Sequence, residues 1–219
     1  MSVLSRVLGP KVSKEEMAAH ADRYKKPSRL LVGSAALLLV SLLFPYWVLH
    51  LKAPQFPDGL IITTYVNRLE GDVGELEGLN HYVGLGSFED VAVFEKSIAL
   101  VAVVGLAALL LAGVYIHSRW VLVLTVPALV FPLVFLADLQ YWLYDFGHHL
   151  DPLAPLAAAV GEFTPPVFGP AEIAQFDTLA LPGLGFILAL VSSFLIGYGL
   201  VLHRAAYRPL LEAMEEAEH

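Results

Sequence analysis

The side chains able to hold a metal or carry a proton gather in two short stretches, GLNHYVGLG and DLQYWLYDFGHHLDP. The first supplies Asn80, His81 and Tyr82. The second supplies Asp138, Tyr141, Asp145 and His148, then His149 and Asp151. Imidazole combined with oxygen ligands suits Zn or Cu(II), which makes His81, His148, His149, Asp145 and Asp151 candidate metal ligands. Such a site needs three or four groups converging at about 2 Å, and spacing alone does not supply convergence. The plainer alternative is that these rings hydrogen-bond loop backbone.

Haem is a second chemistry that the histidines allow through axial ligation. His50 pairs in depth with His148 or His149, and His117 with His203. All of these lie at the ends of apolar runs, where His is also favoured as an interface or helix-end residue. Quinone binding beside the Trp and Tyr residues is a third option. Cysteine is absent, which removes thiolate metal sites, disulfides and iron–sulfur ligation. Met1, Met17 and Met214 all lie outside the apolar runs, so a Met relay for Cu(I) has no material.

The elements that position these residues are membrane-like. The chain has 219 residues, of which 57% are hydrophobic, with a mean hydropathy of +0.67. That is too apolar for an ordinary soluble domain. Four runs, near Leu30–Leu51, Ser97–Ile116, Trp120–Tyr144 and Gly183–Leu202, are each long enough as helix to cross a ~30 Å hydrocarbon layer. The expected fold is therefore an all-α membrane protein with four transmembrane helices, a membrane domain over 30–203. A 1–29 N-terminal amphipathic segment precedes it and a 204–219 acidic tail follows it.

Of the 13 Lys and Arg, only Lys52, Arg68 and Lys96 fall between the first and second or the third and fourth runs. The positive-inside rule then places both termini in the cytoplasm and the segments near 52–96 and 145–182 on the outer face. The first run follows a long polar segment and lacks a small-residue cleavage pattern, so it reads as a span and not as a removable signal peptide. The basic residues are few and lack aromatic interleaving, which argues against nucleic-acid binding.

Within the outer segments, LIITTYVNRL is β-branched and partly alternating between turn signals, which predicts one arm of a short β-hairpin. GPAEIAQF, with Pro170 at a first turn, predicts a short helix. Gly84 and Gly86 predict a close backbone approach. SKEE predicts a capped helix start at Ser13, and Pro127 and Pro132 predict a kink in the third span. Asp138, Tyr141, Asp145 and His148 fall at i, i+3, i+7 and i+10 and are expected on one helix face. A carboxylate at Asp138's depth is costly unless paired or solvated, which makes it a candidate site residue.

The stretches APQFPDGL, YVNRLEGDVGELEGLNHYVGL, DLQYWLYDFGHHLDPLAPL and FTPPVFGPAEIAQFDTLALPG carry a resemblance. They resemble a family of small multi-span bacterial membrane proteins found beside respiratory nitrogen-oxide reductases. The matching residues include Ala53, Pro54, Gln55, Pro57, Asn80, His81, Tyr82, Gly84, Asp138, Tyr144, Gly147, His148, Asp151, Pro152, Pro165 and Pro166. The resemblance implies a bacterial inner-membrane protein that acts as an accessory subunit or assembly factor of a nitric oxide or nitrous oxide reductase. The expected partners are haem–copper or copper reductase subunits and the lipid bilayer. With no catalytic motif, the expected role is contact and not catalysis, through Asn80, His81, Tyr82, Asp138, Tyr141, His148, Pro165 and Pro166. The alternatives are a haem- or quinone-binding electron-transfer subunit and a His-based copper-handling protein.

Overall fold

The computed structural model describes residues 7–10, 12–88, 91–173 and 175–216. Its helices are α1 (Lys14–Ala19), α2 (Ala21–Ser41), α3 (Val73–Val83), α4 (Val93–Gly113), α5 (Val121–His148), α6 (Ala157–Val160) and α7 (Leu184–Glu216). Its strands are β1 (Trp47–Ala53), β2 (Phe56–Thr64), β3 (Leu69–Gly71), β4 (Gly169–Ile173) and β5 (Phe176–Pro182). Val93–Gly113, Val121–His148 and Leu184–Ala213 are long and apolar enough to cross a membrane. By contact the chain forms two compact units. One holds 1–40, 101–132 and 188–219; the other holds 41–100 and 133–187.

Three sequence expectations are corrected here. The apolar run Leu30–Leu51 is not one helix: α2 stops at Ser41 and the run finishes as β1. Pro45 lacks the N–H that would extend α2 and disfavours helical geometry at Phe44 before it, and WVLHLKA after it alternates with the period of a strand. GPAEIAQF is not a short helix but contributes β4 and the start of β5. The expected hairpin arm belongs to a five-stranded antiparallel sheet in the order β3-β2-β1-β5-β4, so the fold is mostly helical and not all-α.

The sheet lies wholly in the second unit. One face buries Leu51, Leu60, Ile62, Ala180 and Phe176, and α3 adds Leu76, Leu79 and Val83 to the same core. Register follows this alternation: Leu49 stands between Ile62 and Ala180, and His50 between Ile61 and Leu179. A one-residue slip would turn the whole apolar set outward. The end of the first apolar run thus pairs, as β1, with β5 from the segment near 145–182.

Close approaches hold this unit together. A Cβ on Gly183 would collide with the Pro45 carbonyl, and one on Gly147 with the Phe163 carbonyl. Gly84 has φ +87 and ends α3, its N–H donating to the Asn80 carbonyl at 2.7 Å. Its own carbonyl accepts from the Asp151 N–H at 2.8 Å. Gly86 is not tightly placed, with only Phe146 at 4.0 Å.

In the first unit, Ser13 caps α1 as expected, its side chain accepting from the Glu16 N–H at 3.1 Å. Tyr24 donates to Glu16 at 2.6 Å and packs on Tyr207. The Ser192 hydroxyl donates to the Ser34 carbonyl at 2.9 Å in a buried position. α5 is continuous as a helix through Pro127 and Pro132.

Gly183→Ala is expected to destabilise the protein by roughly 1–3 kcal/mol, the usual cost of forcing atoms into a filled site. Gly105→Ala has nothing within 4 Å of the new methyl and should be neutral or stabilising by up to ~1 kcal/mol. Thermal unfolding of both variants in one detergent measures the contrast.

Candidate functional site

Beneath the sheet's inner face the second unit forms a partly open cavity of about 240 Å³ with almost wholly apolar walls. All five strands and helices α3, α4 and α5 contribute to it. β1 and β2 supply Trp47, Leu49 and Ile62; α3 supplies Leu79, Asn80 and Val83; α5 supplies Phe135, Asp138, Trp142 and Phe146. The segment before β4 supplies Phe163, Pro165 and Pro166. Phe88 stacks on Phe146 with centroids 5.2 Å apart, forming an aromatic wall. Charged groups also line it: Arg68, Glu95, Lys96 and Asp138.

Most of these charges have partners. Arg68 donates to Glu70 at 2.6 Å and lies over the Tyr65 ring at 3.8 Å. Lys96 donates to the Phe88 carbonyl at 3.3 Å. Asp138 is half-buried and lies within electrostatic reach of Glu95.

Two buried polar atoms lining this space make no hydrogen bond of good geometry: Asn80 Oδ1 and Trp142 Nε1. The Asp138 carboxylate, one turn before Trp142, lies within the indole's reach. Asn80 is only 2% exposed, and its Nδ2 makes one long contact, 3.5 Å to the Gly86 carbonyl.

The sequence-derived candidates divide. Asn80, Asp138, Pro165 and Pro166 come together on the cavity. Tyr82 and Tyr141 are exposed, as is His81. The single polar stripe expected along the third span is therefore split. Asp138 faces the cavity with Phe135, Trp142 and Phe146, while Tyr141, Asp145 and His148 lie off that face.

The metal candidates do not gather: among the described residues, no group of three His, Asp or Glu side chains is placed to hold a metal ion. His148 Nδ1 donates to the Tyr144 carbonyl at 2.9 Å, and its ring stacks on Tyr144 with centroids 3.9 Å apart. His149 pairs with Asp145 at 3.0 Å, a contact of two solvent-reached groups. Asp151 caps its own turn by accepting from the Leu153 N–H. His148 and His149 each bond a carbonyl one turn back on their own helix.

The histidine pairs raised for haem fare similarly. His50 sits in mid-sheet between Ile61 and Leu179. In the first unit, His117 and His203 are close, with centroids 6.4 Å apart, but Tyr207 packs against both at 4.4 and 4.7 Å. The phenol fills the space beside the rings, and His203 Nε2 is committed to the Ile116 carbonyl at 3.0 Å.

Sequence reasoning did not single out Trp142, Phe88, Phe146 or Glu95 as site residues. The signal for Trp142 was available, since it stands four residues after Asp138 and so one helical turn along the same face. No family model, curated protein or solved structure matches the chain.

Burial pushes the His117 imidazole below the ordinary histidine value of 6.5. Between the two values the unfolded chain binds a proton that the folded one does not, so stability falls as pH drops through the unfolded value. The thermal midpoint is expected to decline as pH falls from about 7 to about 5, through the ordinary histidine pKa of ~6.5. His117→Phe, which keeps the ring packing on Tyr207, should flatten that decline. Melting curves across this range check it.

Proposed function

We propose that the chain is a non-catalytic accessory subunit of a respiratory nitrogen-oxide reductase in a bacterial cytoplasmic membrane, and that it docks through its sheet. The observation that carries this reading is the sheet's second face. Val48, His50, Ile61, Thr63, Leu179 and Leu181 alternate away from the buried core. Ile61, Leu179 and Leu181 are 45%, 39% and 40% exposed, an apolar surface with the character of an interface core. The sequence resemblance supplies the class of partner.

In this reading α2 enters the membrane as a fourth helix. Its 21 residues cover about 31 Å at ~1.5 Å each, of which the apolar stretch after Arg29 carries about 18 Å into a hydrocarbon layer of ~30 Å. Arg23, Lys25, Lys26 and Arg29 would then sit in the cytoplasmic headgroups, with both termini on that side. A second reading, a quinone-binding subunit, is favoured by the apolar cavity.

Two experiments test these readings. Affinity purification after mild solubilisation should recover a nitrogen-oxide reductase subunit with the wild-type chain, and at least about tenfold less with Ile61→Glu/Leu179→Glu, as expected when an apolar contact core is charged. Equal recovery would overturn the docking face. Because the chain lacks cysteine, single cysteines report sidedness cleanly. Tyr82→Cys and Leu153→Cys should react with an impermeant thiol reagent from the periplasmic side. Arg208→Cys should react only after the membrane is opened.

A further inference from the structure

The cavity under the sheet has a specific chemical incompleteness, and it defines an occupant. Asn80 is held inside by its own backbone: its carbonyl accepts from the N–H groups of Gly84 and Leu85, which ends α3 and fixes the residue's direction. Its side-chain oxygen is nonetheless unpartnered at 2% exposure. A buried amide oxygen without a donor is costly, so native proteins rarely leave one unsatisfied. The Trp142 N–H, buried beside the same space, has the Asp138 carboxylate within its reach. One unpartnered acceptor borders the apolar chamber.

Size and charge narrow the class further. An apolar cavity of roughly 150 Å³ takes benzene, so about 240 Å³ admits a substituted ring. The stacked pair Phe88 and Phe146 offers a wall suited to a flat ring. Two cations, Arg68 and Lys96, and two carboxylates, Glu95 and Asp138, line the chamber, so no net charge is left to draw an ion.

We propose that this cavity binds the headgroup of a phenol or quinol taken from the lipid phase. Its hydroxyl donates to Asn80 Oδ1, and its ring lies against Phe88 and Phe146. This deepens the second reading above and does not depend on the docking face.

The test uses the full chain in nanodiscs of quinone-free synthetic lipid, with a short-chain benzoquinol as probe and its dimethyl ether as control. Trp47 and Trp142 line the cavity, so ligand entry is read by tryptophan fluorescence and by the melting temperature. The quinol should bind saturably and raise the melting temperature. Its ether, which cannot donate, should bind at least about tenfold more weakly, the effect of one lost hydrogen bond.

Asn80→Leu should weaken quinol binding by a similar factor and abolish the preference for quinol over ether. Phe146→Ala, which removes part of the aromatic wall, should weaken it while leaving the preference in place. If Asn80→Leu fails to fold, the quinol-to-ether ratio on the wild-type chain still decides. Equal binding of quinol and ether, or only unsaturable partitioning of both, overturns the site. Because the assay contains no partner protein, loss of the docking reading and loss of this one remain separate outcomes.

Discussion

The pairing of β1 with β5 is the constraint on which the second unit depends. It joins Trp47–Lys52 to Asp177–Pro182, segments separated by α3, α4 and α5 along the chain. Such a ladder repays the entropy of closing a long loop only if the contacts it creates are numerous and well satisfied. Here it satisfies the backbone of both strands and gives β1 a partner on each side. It also completes the apolar sheet face that roofs the cavity. The close passage of Gly183 past Pro45 follows from the same junction, where the Gly183 N–H donates to the Tyr46 carbonyl at 2.9 Å.

That junction explains what could be read in the sequence and what could not. The apolar helices Val93–Gly113, Val121–His148 and Leu184–Ala213 were legible because length and apolarity alone define such an element. β1 was hidden because FPYWVLHLKA continues the apolar run of α2, and hydropathy does not register a change of period inside it. GPAEIAQF satisfied the local rules for a helix start, yet β5 was waiting to pair with it. Strand identity depends on a neighbour distant in sequence, and helix identity mostly does not.

The site was legible to the same uneven degree. Asn80, Asp138, Pro165 and Pro166 were picked out by type and position, and all four reach the cavity. The histidines attracted attention as metal ligands, yet His148 and His149 bond to carbonyls one turn back, the cheapest partners a helix end offers. What separated Asp138 from Tyr141 and His148 was about a fifth of a helical turn, a rotation fixed by packing that a list of i+3 and i+7 spacings leaves open.

The contrast between the sheet's two faces connects structure to role. A sheet needs only one apolar face to make a core, and polar residues on the other keep a free sheet in solution. This one carries Ile61, Leu179 and Leu181 outward and flanks them with Lys52, Asp177 and Glu172 toward the turns. His50 stands at the centre of this face, between Ile61 and Leu179. The inner face, meanwhile, leaves a chamber open among Phe135, Phe146 and Leu79, where close packing is the usual state of a protein interior. Both faces of one sheet thus depart from the half-buried antiparallel pattern, the outer by its apolar residues and the inner by its unfilled space.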